Sequence, residues 1–177
     1  MKAVSMYSPY GWRGKIGLIV PSTNTVNEPE FWRMAPPGVS IHSDRVLLLG
    51  NATQESYNAM ADALGGAAQR LATAEVDVVA YGCTSGSIVC PMPELLEQMS
   101  SQTGTPAVAT AGAVVAALNA LGAKKIAVGT PYVTFVNDAE KVFLEDYGFE
   151  VVSIHGLQLG ETQEERRGIG RVPPLGA

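Results

Sequence analysis

The chain has 177 residues, 46% of them hydrophobic and 16% charged, with a formal net charge of −5. That composition supports a packed core and excludes a mainly disordered chain. With no block of Lys or Arg, it argues against nucleic acid or an anionic membrane surface as the main partner, while leaving room for a small anionic substrate at a local site. No apolar run approaches the roughly 20 residues needed to span a bilayer. The start "MKAVSMYSPYGWRGK" has no apolar segment of signal-peptide type. Cys83 and Cys90, spaced C-x6-C, match no common zinc or redox motif, and two histidines, His42 and His155, argue against a metal site. The expectation is a cytoplasmic protein with reduced thiols.

In chain order, "KIGLIV" (Lys15 to Val20) predicts a short buried strand. A polar loop, "PSTNTVNE", opens a helix over about 27–34, which Pro36, Pro37 and Gly38 stop. "VSIHSDRVLLL" (Val39 to Leu49) predicts a second strand. Thr53 is placed to cap a single long helix over 53–74, whose apolar face is Tyr57, Met60, Ala61, Leu64, Ala68, Leu71 and Ala72. Gly65 and Gly66 inside it cost about 1 kcal/mol each relative to alanine. Val76 to Tyr81 predicts a third strand. A helix from Pro93 to Gln102, a short strand over 106–110 and an alanine-rich helix over 111–121 follow. "KIAVG" (Lys125 to Gly129) is a strand, 134–147 a helix, and 150–159 a last strand. The run "ETQEERR" is read as a solvated helix start.

Strands alternating with helices mean α/β, a parallel sheet with right-handed crossovers. "KIGLIVPSTNT" and "KIAVGTPYVTF" share a pattern, which suggests a second copy of the unit. The expected division is a first half over 1–122, with four parallel strands flanked by helices, and an incomplete second α/β half over 123–177. An unfinished half exposes a strand edge and apolar helix faces, so a homo-oligomer is expected.

Ligands of open parallel sheets sit beyond the carboxyl ends of the strands. There the sequence places Ser22, Thr23 and Asn24, then Cys83, Thr84, Ser85, Gly86 and Ser87, then Thr130 and Tyr132. These are hydroxyl, amide and thiol groups. Neither G-x-G-x-x-G after the first strand nor G-x-x-x-x-G-K-[ST] occurs, so phosphate binding fits poorly. The set suits a carboxylate or an enediolate. Cys83 is the candidate nucleophile, with its thiolate stabilised by the helix N-terminus that "TSGS" begins. Cys90, between Val89 and Pro91, reads as structural. His42 and His155 read as ordinary strand residues, and Ser22 and Ser85 lack the partners of a serine triad.

The segments "GLIVPSTNT", "VDVVAYGCTSGS" and "KIAVGTPY", in this order, resemble the maleate cis–trans isomerase and arylmalonate decarboxylase group of the aspartate/glutamate racemase superfamily. The resemblance implies a flavodoxin-like half, chemistry without a cofactor next to a carboxylate, and a cleft between two similar halves. It implies that Cys83 attacks the double bond of a maleate-like dicarboxylate and that Asn24 and Tyr132 hold a carboxylate. Thr84, Ser85 and Tyr132 match groups that hold an enediolate in the decarboxylases. Two departures stand out. The segment that carries the family's second cysteine has no counterpart here, and Thr162 stands where the isomerases have an asparagine. Conversely, Cys83 occupies a position that is usually glycine in the decarboxylases. The expected activity is therefore cis–trans isomerisation. A decarboxylase or racemase of the same superfamily, or a truncated carboxylate-binding fragment without catalysis, are the alternatives.

Overall fold

The computed structural model describes residues 9–101 and 103–169. The first strand, β1 (Gly14–Pro21), leads into α1 (Asn27–Met34), and β2 (Val39–Val46) lies beside β1. Next come α2 (Gln54–Asp62), α3 (Leu64–Ala72) and β3 (Val78–Tyr81). The chain continues through α4 (Thr84–Val89), α5 (Met92–Ser101), β4 (Ala107–Ala109) and α6 (Thr110–Ala120). It then runs through β5 (Lys125–Thr130), α7 (Thr134–Asp146), β6 (Glu150–Gly156) and α8 (Gln163–Ile169). One sheet has four strands in the order β2-β1-β3-β4, and β5 and β6 form a second, two-stranded sheet. All pairings are parallel.

The central strand explains why the sheet is covered on both faces. Leu18, Ile19 and Val20 are all fully buried, and successive side chains point to opposite faces. Ile19 packs with Met60, Leu64, Ala68 and Tyr81, while Leu18 and Val20 pack with Ile41 and Ala80 against Phe31 of α1. Gly17 permits the closest approach of α3. A Cβ there would lie 3.1–3.3 Å from Val76 and Leu71 side-chain atoms.

The predicted helix over 53–74 is two helices. Thr53 does cap the first: its hydroxyl accepts from Ser56 N–H, and Ser56 Oγ accepts from Thr53 N–H. The break falls at Ala63, just before Gly65 and Gly66, where low helix propensity makes an interruption inexpensive. The predicted apolar face still holds, with Tyr57, Met60, Ala61, Leu64, Ala68 and Leu71 buried. The last strand ends at Gly156 rather than at residue 159. Residues 157–159 instead run beside the loop after β5, donating Leu157, Gln158 and Leu159 N–H groups to the carbonyls of Thr130, Tyr132 and Pro131.

Because β1 pairs with β2 on one side and β3 on the other, the chain leaves the sheet in opposite directions after β1 and β2. The carboxyl ends of β1 and β3 thus flank a topological switch point, where ligand crevices form. The loop after β5 reaches the same place. Val136 of α7, with Tyr132 and Val133, packs into the main core beside Tyr57, Tyr81 and Cys83.

Candidate active site

A cavity of about 410 Å³ opens at this switch point, within the size range of small-molecule sites. Asn24, Cys83, Thr84, Ser85 and Tyr132 all line it. Each is set by its own local structure.

Asn24 sits in the turn between β1 and α1. Its Oδ1 accepts the N–H groups of Val26 and Asn27, both at 2.9 Å, which closes the turn and starts the helix. Its Nδ2 donates to Asn27 Oδ1 at 3.3 Å, and Asn27 Nδ2 donates to the Gly82 carbonyl at 2.7 Å. The two asparagines thus tie the end of β1 to the end of β3. A Cβ at Gly82 would strike Asn27 Nδ2, so a larger residue there would displace the amide that ties the two strand ends. Outside the cavity, Arg45 holds the carbonyls of Ser22 and Asn24 at 3.2 and 2.7 Å and pairs with Glu28.

Cys83 is the N-cap of α4, with extended backbone (φ −142°, ψ 105°). Its Sγ accepts the Gly86 N–H at 3.3 Å and lies 3.7 Å from Ser85 Oγ. Ser87 anchors the turn from behind: its Oγ donates to the Cys83 carbonyl at 2.8 Å and accepts the Ala111 N–H at 3.1 Å. The thiol is only 7% exposed. The expected stabilisation of the thiolate by the helix start is present but does not dominate. Burial pushes the Cys83 thiol up, against smaller downward contributions from the Gly86 N–H and the Ser85 and Tyr81 hydroxyls. Cys90 is buried beside Asn58, as its structural reading requires, and burial pushes its thiol up to about 11.

Tyr132 follows β5 in a turn fixed by a buried network. Thr130 Oγ1 donates to Asn137 Oδ1 at 2.6 Å and accepts the Tyr132 N–H at 3.1 Å. Asn137 Nδ2 donates to the Tyr132 carbonyl at 3.0 Å. Burial raises the Tyr132 phenol well above its ordinary value, with the Thr84 side chain acting in the opposite direction, so at neutral pH it is a donor and not a phenolate.

Three cavity residues escaped sequence reasoning. Asn27 was read as a helix start only, although its spacing from Asn24 was a signal. Tyr57 was assigned to an apolar helix face, yet its side chain interacts with Ser85 and feels Cys83, and its hydroxyl could have marked it. Arg166 was placed on a solvated helix start but lines the cavity. Conversely, Thr162 does not reach the cavity. It caps α8, its Oγ1 accepting the Glu165 N–H while Glu165 Oε2 accepts the Thr162 N–H. His42 pairs with Ser40, and His155 is exposed on β6. Among the described residues no group of His, Cys, Asp and Glu could hold a metal ion, and no helix is long and apolar enough to cross a membrane.

A cysteine at a helix N-cap, ringed by neutral donors at the end of a parallel sheet, is the arrangement that the sequence motifs implied. The family model described as arylmalonate decarboxylase matches residues 16–167. The chain belongs to the arylmalonate decarboxylase family. A maleate isomerase from Geobacillus stearothermophilus is 29% identical over 91% of this chain and 68% of its own length. An arylmalonate decarboxylase from Bordetella bronchiseptica is 31% identical over 74% of this chain and 55% of its own. Among solved structures, a mutant Nocardia farcinica maleate cis–trans isomerase with a covalently bound succinylcysteine intermediate matches with a TM-score of 0.76. The two are 26% identical, over 90% of this chain and 68% of that one. The family's matched relatives include proteins named maleate isomerase, and this chain spans about two thirds of their length.

Proposed function

We propose that this chain carries the nucleophile-bearing site of a cofactor-independent cis–trans isomerase for a maleate-like dicarboxylate. The observation that supports it is Cys83 Sγ at the α4 N-cap, facing a cavity that also holds Asn24, Thr84, Ser85 and Tyr132. In the proposed cycle the Cys83 thiolate forms an S–C bond to one alkene carbon. The π electrons move onto the adjacent carboxylate as an enediolate. The former double bond is now single and rotates. The enediolate then collapses, the C=C bond reforms in the trans geometry and the thiolate leaves. Atoms and electrons balance with no oxidant, and no proton has to cross the site. A thiolate suits both steps, being a good nucleophile toward soft carbon and a good leaving group. Donors from Asn24, Thr84, Ser85 and Tyr132 answer the charge that builds on the carboxylate, and losing one such donor typically costs about 3–4 kcal/mol of barrier.

The deciding experiment is proton NMR of maleate with the purified chain and with Cys83→Ser. Appearance of fumarate with the chain alone supports the reading. Equal conversion by both proteins, or none by either, sinks it. A decarboxylase of malonate-type acids is the second reading, favoured by Thr84, Ser85 and Tyr132 as an enediolate cradle. Carbon dioxide release from an arylmalonate, with maleate untouched, would select it.

A further inference from the structure

One cavity side chain carries a full charge. Among the described residues that line the cavity, Arg166 is the only ionised group. It is half-buried, on α8, and it reaches back across the fold. Nη1 donates to the carbonyls of Gly160 and Glu161, each at 3.0 Å, and Nη2 donates to the carbonyl of Gly50. Those three bonds stitch the loop after β6 to the loop after β2 and fix the plane of the guanidinium. They do not neutralise it, because carbonyls are dipoles. No described carboxylate lies within ion-pair distance, and neighbouring Glu165 accepts the Thr162 N–H instead. Two of the five N–H donors are left over, one on Nη2 and one on Nε. Nε is buried without a partner. An Nε–H and an Nη–H on one edge of a guanidinium match the spacing of the two oxygens of a carboxylate. Arg166 also feels Tyr57, which in turn interacts with Ser85 and Cys83, so the cation stands in the same electrostatic neighbourhood as the nucleophile.

We propose that Arg166 anchors a second anionic group of the substrate, so that the site selects dianionic acids of the dicarboxylate class over monoanionic acids of the same shape. This rests on the carboxylate-site reading above and adds to it a charge-counting residue. The neutral donors around Cys83 serve the reacting carboxylate. Arg166 serves the other end.

The test compares succinate with its monoamide, succinamate, two unreactive probes that differ by one charge. Their dissociation constants are measured by calorimetry on the wild-type chain, Arg166→Gln and Arg166→Lys. Wild type is expected to prefer succinate about tenfold or more, as a charge-assisted paired contact requires. Arg166→Gln should bring the ratio near one by weakening succinate more than succinamate. Arg166→Lys keeps the charge but not the fork and should fall between. Should the glutamine variant fail to fold, the lysine variant and a salt series on wild type decide, since a preference based on charge must shrink as ionic strength rises. A ratio unchanged in the variants and in salt overturns the role of Arg166 alone. Absence of binding by either probe to wild type overturns the carboxylate-site reading together with it.

Discussion

The Gly86 N–H points at Cys83 Sγ from 3.3 Å, and the space where a Gly86 side chain would begin is already filled. A Cβ there would strike the Tyr81 hydroxyl and lie 3.0 Å from Sγ and 2.9 Å from the Met60 methyl. The Cys83 thiol, its backbone donor and a buried phenol therefore share one tight corner. Gly86→Ala should destabilise the fold by about 1–3 kcal/mol, the usual cost of overpacking a core. It should also change the alkylation rate of Cys83 relative to Cys90. Denaturant melts and peptide mass spectrometry read the two effects. A fully stable variant with unaltered thiol chemistry would show that the corner is looser than these distances state.

Tyr81 is the second occupant of that corner. Its ring is 1% exposed, and its hydroxyl is buried without an ordinary hydrogen-bond partner. The hydroxyl is close enough to Cys83 to favour the thiolate, and burial together with Cys83 holds the phenol well above its usual range. Tyr81→Phe removes one oxygen and no packing atoms. Cys83 should then titrate at higher pH than in wild type, as followed by thiolate absorbance near 240 nm or by the pH profile of iodoacetamide labelling. A purely structural tyrosine would leave that profile where it was.

Much of this corner was legible in the sequence, for a reason that is local. β-branched runs ending in small and polar residues give buried parallel strands, and strand order places their ends at a crevice, so Cys83 and Asn24 could be found from position alone. The Thr53 cap was visible because a hydroxyl three residues before Ser56 satisfies helix N–H groups within one turn. Arg166 was not visible. Its inward turn depends on α8 lying against the Gly50 loop, 116 residues away in sequence, and nothing in "ETQEERR" encodes that approach. The break at Ala63 was missed because the apolar period runs straight through it. The raised Cys83 thiol was missed because a helix N-terminus is readable from sequence, whereas the depth of burial that outweighs it is not.

The same burial makes alkaline pH the direction of weakness. In the folded chain Cys83 is raised above the ordinary thiol value, and Cys90 is pushed to about 11. In the unfolded chain both return to about 8.5. Below that pH both states are protonated and the contribution is fully present. As pH rises through 8.5 toward the folded values, only the unfolded state loses protons, so stability falls. Urea midpoints should therefore decline between pH 8.5 and 10.5, and Cys83→Ala combined with Cys90→Ala should flatten the decline. A wild-type curve that is level across this range would contradict the burial of the thiols.

Turnover should follow the opposite slope. Attack requires the thiolate, and a raised thiol leaves less of it at neutral pH than the few per cent of a free cysteine. If Cys83 is the nucleophile, kcat/KM for maleate should climb with pH until the chain itself weakens. Tyr81→Phe should move that limb to still higher pH without altering its shape. A profile that is flat from pH 6 to 9 would mean that deprotonation of Cys83 does not limit the reaction.

Asn137 tests how the loop after β5 is held. It is 5% exposed and serves both Thr130 Oγ1 and the Tyr132 carbonyl. Gly156 crowds the same amide closely, since a Cβ there would strike Asn137 Nδ2 and the Tyr132 carbonyl. Asn137→Ala leaves the Thr130 hydroxyl proton without its acceptor and the Tyr132 carbonyl with the Gln158 N–H alone, at a total of about 1–3 kcal/mol. The thermal midpoint should drop by several degrees, at about 2–4 °C per kcal/mol for a chain of this size. The Tyr132 turn should loosen with it. A substrate held partly by Tyr132 would then bind more weakly, while alkylation of Cys83, which sits on α4 and not on this loop, should change little. Asn137→Asp keeps the acceptor for Thr130 and loses the donor to Tyr132, so it separates the two bonds. If its ligand affinity matches wild type while its stability falls, the network holds the fold together but does not place Tyr132.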